Sequence, residues 1–283
     1  MKRFVVVGID GSVQSESAAH WAAEEALQSG RALRMVHVAP GERGGLAPED
    51  APEERLPAPV AAIRDRVVAA RPGVDASCDR TTGNPAYVLA AAGERAGLLV
   101  VGSRGLGGVV GRLVGSVGLR VAAHARCPVV LVRDGDAGTQ GEVVVGVQGD
   151  RPCDAVLAFA FDQAARRGAA LRAVEARTLA SGPYLTEAQV EQADIQEGLA
   201  ADRLVHLEDA LGRWREKFPG VTARAEVVVG GAADVLVAAA HGAALLVLGR
   251  RSPAHPMAAP RLGSVAHAVL HHAHGAVAVV PHD

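Results

Sequence analysis

Two glycine-rich segments contain residue types that could bind an anion. The first is residues 8–12 and the second is residues 102–116, which include six glycines. Glycines let the backbone approach a phosphate and turn successive N–H groups towards it. Arg104 adds positive charge, and Gly115-Ser116 opens a helical pattern, which places an N-cap hydroxyl and the positive end of a helix dipole at the same point. These features predict an anion-binding loop.

The common alternatives to this loop do not fit the spacing. A P-loop needs Lys followed by Ser or Thr after its glycines, and the chain has Lys only at positions 2 and 217. The dinucleotide fingerprint needs G-x-G-x-x-G, but residues 8–11 lack that spacing and Gly105-Leu106-Gly107 is followed by Val110. A nucleophile elbow would need Gly at position 114, where Val114 stands. Ser116 is therefore predicted to be a helix cap rather than a nucleophile.

The elements that must position these segments occur twice. Residues 4–12 return near 143–150, and the end of the first half, 127–132, returns at 275–280. The offset grows from 138 to 148 residues, so the second copy carries insertions. A repeat of this size indicates a domain duplication. The predicted domains are residues 1–136 and 141–283, joined by a Gly- and Asp-rich linker at 134–141.

Within each copy, short Val/Leu runs alternate with long Ala-rich stretches. In the first copy the pattern predicts strands near 3–9, 32–38, 74–80, 98–102 and 128–132. The apolar runs are continuous, as expected for parallel strands covered on both faces. Alternating strands and helices indicate a doubly wound α/β sheet, in which ligands bind beyond the carboxyl ends of the strands.

Between these strands, the residues from Ser17 to Leu27 have a helical pattern that ends at Gly30. The range 41–59 is rich in Pro, Gly and acidic residues and is predicted to be a mobile surface loop.

The order of the motifs resembles the universal stress protein family. Gly102-x-x-Gly105, nine residues and then Gly115-Ser116 are similar to the family's ATP-binding signature. Residues 8–12 resemble its opening motif, and 127–132 its closing strand. The resemblance covers the whole chain as a tandem pair, the form common in high-GC actinobacteria. It implies two tandem Rossmann-like domains, each with a doubly wound, five-stranded, mostly parallel sheet, whose closing strands pair antiparallel.

The resemblance also implies a ligand, ATP, with Mg²⁺ accompanying the triphosphate. Gly8 and Asp10 would lie against the adenosine, and the main chain of Val38 would contact the adenine edge. The phosphates would be bound by residues on the second glycine-rich segment, namely Gly102, Ser103, Arg104, Gly105, Gly107, Gly108, Gly115, Ser116 and Val117. The alternative is that these glycines only form a tight loop.

The second copy departs from this pattern. Gln148 stands in place of Asp10, and Ser252 in place of Gly105. Three prolines, at 253, 256 and 260, each remove an amide donor from the loop. Arg250, Arg251 and Arg261 could still attract an anion. We therefore expect much weaker ATP binding in the second domain.

Composition excludes several other classes of protein. A net charge of −2 argues against a globally basic nucleic-acid binder. No apolar run approaches the length needed to span a bilayer, and the three cysteines have no zinc or disulfide spacing. The histidines near the C-terminus are expected to be solvated or packed, with a metal site as the alternative. The default prediction is a cytoplasmic protein without a membrane or nucleic-acid partner.

Three functions stay open at this point. The first is a regulatory ATP-binding module that changes conformation or protein partner under stress. The second is a slow ATPase or phosphotransfer enzyme, although the loop lacks the Lys of phosphoryl-transfer sites. The third is a partner-binding protein whose nucleotide loop is vestigial. In each case the two domains would pair within the chain, and whole chains are expected to form homodimers.

Overall fold

The computed structural model describes residues 4–39, 56–103, 114–133, 141–148, 154–177, 187–252 and 260–283, with the backbone alone over 187–199. The strands in these residues are β1 (Phe4–Gly8), β2 (Leu33–Ala39), β3 (Ala76–Thr82), β4 (Ala96–Gly102), β5 (Val129–Val132), β6 (Val143–Val147), β7 (Leu171–Arg177), β8 (Ala223–Val229), β9 (Leu245–Arg251) and β10 (Val277–His282). The helices are α1 (Val13–Ser29), α2 (Ala58–Ala70), α3 (Pro85–Ala92), α4 (Ser116–His124), α5 (Asp154–Arg167), α6 (Glu187–Lys217), α7 (Ala232–Ala239) and α8 (Ser264–His272).

All ten described strands form one sheet in the order β3-β2-β1-β4-β5-β10-β9-β6-β7-β8. Within each half the neighbouring strands are parallel. The halves meet where β5 and β10 pair antiparallel, with Val277 opposite Leu131. The predicted tandem doubly wound fold is confirmed, and so is the pairing of the closing strands. In each half the strand order reverses between the first and fourth strands, which is where a ligand cleft forms in this topology.

The strands are apolar on both faces because helices cover both sides of the sheet. Val5 and Val7 face one core cluster together with α1, whereas Val6 faces the other cluster together with Leu89 of α3. All three valines are nearly inaccessible to solvent. Their continuous apolar run therefore indicates a doubly covered parallel strand, as the sequence predicts.

Helix α1 begins and ends at residues suited to those positions. The Ser12 hydroxyl caps its N-terminus by accepting a hydrogen bond from the Ser15 amide at 3.2 Å. Gly30 ends the helix in the left-handed conformation, with φ of 61°. The Gly30 stop is the one that the sequence predicts, and the helix begins four residues before the predicted Ser17.

The predicted loop at 41–59 is wrong at its C-terminal end. Residues 40–55 lie outside the described part of the chain, but α2 already begins at Ala58, after an N-cap at Pro57. Proline in the first turn has the φ of a helix and loses no intrahelical hydrogen bond there, so the Pro-rich stretch starts a helix. The predicted linker at 134–141 lies outside the described residues, apart from Gly141.

Arginine side chains join the two domains on the α4–α8 side of the sheet. Arg133, just after β5, donates from Nη2 to the carbonyl oxygen of Leu270 at 2.7 Å and to that of His271 at 3.2 Å. Arg250 of β9 donates from Nη2 to the carbonyl oxygen of Ala125 at 2.6 Å. These carbonyls lie at the C-terminal ends of α8 and α4, where the helix dipole favours a cation.

Candidate functional site

The turn after β1 is built around the carboxylate of Asp10. Its Oδ1 accepts hydrogen bonds from the Ser12 amide at 3.0 Å and from the Ser12 hydroxyl at 2.6 Å. Gly11 between them has φ of +94°, in the left-handed region that favours glycine. The predicted ligand residue Asp10 therefore also has a structural role, since it fixes the turn and adds negative charge at the N-terminus of α1.

Two of the predicted site glycines lie close to neighbouring helices, and at Gly102 the close contact is with backbone. A Cβ at Gly102 would lie 2.8 Å from the backbone oxygen of Gln14, in the first turn of α1. A Cβ at Gly8 would lie 2.8 Å from Cδ1 of Leu89 on α3. Both contacts are shorter than normal van der Waals separations. These glycines let the ends of β1 and β4 approach the helices on either side of the cleft.

The two ends of the loop after β4 meet at a hydrogen bond between Ser103 and Gly115. The Gly115 amide donates to the Ser103 carbonyl oxygen at 2.7 Å, and the Ser103 amide donates to the carbonyl oxygen of Val132 at 2.8 Å. Ser103 is buried. Ser103 and Gly115 are therefore adjacent at the carboxyl end of β4. The predicted ligands Arg104, Gly105, Gly107 and Gly108 lie outside the described residues.

The prediction that Ser116 caps α4 is wrong. Gly115, not Ser116, is the N-cap, with φ −69° and ψ 154°, and Ser116 is the first helical residue. The Gly115 amide bonds back to Ser103, so the chain stays extended there and helical dihedrals begin one residue later. No side chain at the N-cap accepts a hydrogen bond from the first turn of α4. Ser116 and Val117 are exposed.

The residues predicted on the adenosine side lie at the ends of two adjacent strands. Gly8 ends β1, with Val36 of β2 as its partner in the register, and half-buried Val38 is two residues further along β2. His37, which lies between Val36 and Val38 on β2, is buried, and its Nδ1 is 2.9 Å from the carbonyl oxygen of Ile9. The sequence analysis did not single out His37. A polar side chain inside an otherwise apolar strand run is the signal that points to it.

The second domain has an open cleft of about 1370 Å³ at the corresponding strand ends. Its polar lining includes Gln148, Glu175, Arg251, Ser252 and Arg261, and the N-cap of α8, Gly263, lies on its wall. As in α4, no side chain at this N-cap accepts a hydrogen bond from the first turn of its helix.

Strand β9 runs two residues past Gly249, the counterpart of Gly102 at the end of β4, and this changes the charges at the second cleft. It continues to Arg251, which pairs with His282, whereas β4 ends at Gly102. Arg250 is part of β9 and is buried, and its guanidinium donates to the carbonyl oxygen of Ala125 in the first domain. Arg250, one of the arginines expected to attract an anion, thus contacts the other domain, whereas Arg251 and Arg261 are exposed.

Histidines and cysteines add no metal site in the part of the chain that is described. No group of three or more His, Cys, Asp or Glu side chains there could hold a metal ion. Cys78 is half-buried and Cys127 is buried, and neither forms a disulfide within the described residues. Among the described helices, none is long and apolar enough to cross a membrane.

Two doubly wound α/β domains, joined by their fifth strands and each with glycines at its switch point, define a class of tandem Rossmann-like proteins. The chain belongs to the universal stress protein family, whose model matches residues 1–133 and again 141–281. It is 30% identical to Universal stress protein Rv2005c of Mycobacterium tuberculosis, over 94% of this chain and 93% of that protein.

Two solved structures share the tandem fold. The functionally unknown protein PA1789 from Pseudomonas aeruginosa superposes with a TM-score of 0.67 and 16% identity, covering 99% of this chain and 92% of that one. A universal stress protein from Archaeoglobus fulgidus gives a TM-score of 0.63 and 17% identity, with 98% of each chain covered.

Proposed function

We propose that the first domain, residues 1–136, binds ATP with Mg²⁺ and that the protein is a regulatory nucleotide-binding module in a stress response. The hydrogen bond between the Gly115 amide and the Ser103 carbonyl carries the proposal. It closes the glycine-rich loop at its base and sets the first turn of α4 at its exit. Backbone N–H groups in a glycine-rich loop and at a helix N-terminus are what a polyphosphate needs.

The charges at the N-termini of α1 and α4 favour one orientation of the bound nucleotide in the site. Ser12 and the carboxylate of Asp10 occupy the start of α1, so negative phosphates are disfavoured there. The start of α4 has no side-chain cap and attracts an anion. In this proposal the adenosine lies at Gly8, Asp10 and Val38, and the phosphates extend towards α4.

A binding role fits the polar side chains better than a catalytic one. The Asp10 carboxylate accepts two hydrogen bonds from Ser12, and the Ser15 hydroxyl donates to the Ser12 carbonyl oxygen at 2.8 Å. These groups are engaged in holding the turn. We therefore assign no catalytic residue, and slow ATP hydrolysis becomes an outcome of the test.

The second domain, residues 141–283, is proposed to bind ATP much more weakly. Gln148 replaces the carboxylate of Asp10, and Arg250 is committed to the domain interface. A hydrogen bond to a charged group contributes about 1.5–3 kcal/mol, so the loss of the adenosine contact proposed for Asp10 and of one phosphate contact weakens binding by about a hundredfold or more.

Calorimetric titration of the nucleotide-free full chain with Mg-ATP tests this proposal. We expect one tight site per chain, weakened by Asp10→Ala but not by the matched substitution Gln148→Ala in the second domain. Two equivalent sites, or equal effects of the two substitutions, would contradict the asymmetry. Absence of binding would leave the partner-binding alternative, and steady release of ADP would favour the ATPase. Light scattering of the same sample tests the expected homodimer.

A further inference from the structure

A histidine of the second domain reaches the nucleotide loop proposed for the first. The backbone N–H of Val114 donates a hydrogen bond to Nδ1 of His271, with 3.3 Å between the two nitrogens. Val114 is buried and is followed directly by Gly115, the N-cap of α4. His271 lies in the last turn of α8, and the two partners are 157 residues apart in the chain. The exit of the loop is thus anchored on the other domain.

The hydrogen bond between Val114 and His271 has no counterpart at the equivalent positions of the two domains, Leu262 and Ala123. Helices α4 and α8 are both nine residues long and begin at the serine of matching Gly-Ser pairs, so His271 corresponds to Ala123 and Val114 to Leu262. The methyl group of Ala123 cannot accept a hydrogen bond from Leu262. The first domain therefore receives an anchor from the second and cannot return it through the equivalent position.

We propose that His271 is a positioning residue for the nucleotide site of the first domain, and that its protonation weakens nucleotide binding there. The inference rests on the proposed function and adds a regulatory role for the second domain. His271 would act through the backbone at Val114 and Gly115, not by touching the nucleotide.

The chemistry of the contact requires a neutral imidazole. A backbone N–H can only donate, so Nδ1 must carry a lone pair and the ring proton must be on Nε2. Protonation would point an Nδ1–H group at the Val114 N–H and remove the hydrogen bond. The loop exit would then lose its fixed position, and with it the alignment of the α4 amides.

The surroundings of His271 favour the neutral form. The ring of His267 lies 4.7 Å away and that of His272 lies 6.4 Å away, measured between ring centroids, and both belong to α8. From the first domain, Arg133 donates to the His271 carbonyl oxygen. Burial, followed by these neighbouring positive charges, lowers the pKa of His271 below its usual 6.5. The anchor is therefore intact near neutrality and is lost in mild acid.

Binding and protonation must influence each other equally. If nucleotide binds more tightly when His271 is neutral, bound nucleotide must lower the pKa of His271 by the corresponding factor. The proposal therefore predicts a change in a protonation equilibrium as well as a change in affinity.

The test measures Mg-ATP affinity from pH 7.5 to pH 5.0 for the full chain and three variants. His271→Asn keeps an acceptor near the place of Nδ1 without a titrating ring, His271→Ala removes the acceptor, and His272→Ala is the control one residue along. At pH 7.5 we expect affinity about fivefold weaker in His271→Ala and nearly unchanged in the other two. ATP itself titrates in this range, so the decisive quantity is the difference between wild type and His271→Asn, which should grow as the pH falls.

A second measurement uses the wild-type chain and does not depend on any variant folding. NMR titration of His271 should show a lower pKa with nucleotide than without it. Matching pH profiles for wild type and His271→Asn, or a pKa unaffected by nucleotide, would overturn the role of His271 while leaving the ATP site intact. If the wild type bound no nucleotide at pH 7.5, both proposals would fail together.

Discussion

Gln163 of α5 donates a hydrogen bond across the domain boundary to the buried carboxylate of Glu25 on α1, with Nε2 3.0 Å from Oε1. Glu25 is only 1% exposed. Arg167 places Nη2 3.2 Å from Oε2, and Arg166 places Nη1 3.6 Å from Oε1. This carboxylate of the first domain thus accepts hydrogen bonds from Gln163 and Arg167 of the second domain and forms an ion pair with Arg166, on the face of the sheet opposite to His271.

Loss of this carboxylate should destabilise the whole chain. Glu25→Ala leaves Gln163 and two arginines without their shared acceptor, and the removal of one partner from a buried ion pair typically costs about 3 kcal/mol or more. We expect a decrease of that order in the free energy of unfolding, measured by urea denaturation. The control is Glu24→Ala, which removes the half-exposed partner of Arg71 and should cost less than about 1 kcal/mol. Equal losses in the two variants would contradict this role for Glu25.

Parts of this arrangement follow from the local sequence and parts do not. The strand at Val5–Val7 is predictable because a continuous apolar run is a local signal of a strand covered on both faces. The end of α1 at Gly30 is predictable for the same reason, although the sequence pattern places the start of that helix at Ser17 and not at its Ser12 cap. The N-cap of α4 is not predictable from the local sequence. Gly115 is the N-cap rather than Ser116 because its amide donates to the carbonyl oxygen of Ser103, which follows β4 and lies outside the local sequence around α4.

Contacts between the domains are hidden from the sequence for a similar reason. His271 is one of several histidines near the C-terminus, and nothing near it in the sequence points to Val114. Arg250 lies in a stretch that resembles a phosphate-binding loop, yet the extension of β9 aims it at Ala125. In both cases the contact depends on the antiparallel pairing of β5 and β10, which brings segments that are distant in the sequence close together.

Gly102→Ala should destabilise the fold whether or not nucleotide is present. The added Cβ would lie 2.8 Å from the backbone oxygen of Gln14, and backbone cannot move aside as a side chain can. Overpacking of this kind costs about 1–3 kcal/mol. Gly220→Ala, in the exposed turn between α6 and β8, is the control, because a Cβ there meets nothing within 4 Å. Thermal unfolding of the two variants without ligand makes the comparison, and equal midpoints would rule out the packing role of Gly102.

Mild acid should weaken the fold through His20 and His271. Burial is the leading cause that lowers the pKa of both side chains in the folded protein. A histidine with a lowered pKa stabilises the fold while it is neutral, so this contribution is present above about pH 6.5 and is lost as the pH falls through the lower, folded-state value. We expect the urea midpoint to fall between pH 7.5 and pH 5.5, and to fall less in the double variant His20→Gln with His271→Asn. An equal fall in the double variant would exclude this origin.

Two serines at the N-terminal ends of helices should behave differently when each is replaced by alanine. Ser12 caps α1, where its hydroxyl accepts from the Ser15 amide and donates to Asp10. Ser116 is exposed and lies one residue past the N-cap of α4. Ser12→Ala should therefore lower the free energy of unfolding by about 1 kcal/mol, whereas Ser116→Ala should change it by less than about 0.5 kcal/mol.

For nucleotide affinity we expect the larger effect at Ser116, because Ser116 begins the helix that is proposed to bind the phosphates. Ser116→Ala should weaken Mg-ATP binding severalfold in calorimetry, through the loss of one hydroxyl donor to a charged group. Ser264→Ala, at the first residue of α8, is the matched control in the second domain and should leave the tight site unchanged. A large loss of stability in Ser116→Ala would restore the capping role predicted from the sequence. Unchanged stability together with unchanged affinity would remove Ser116 from the proposed site.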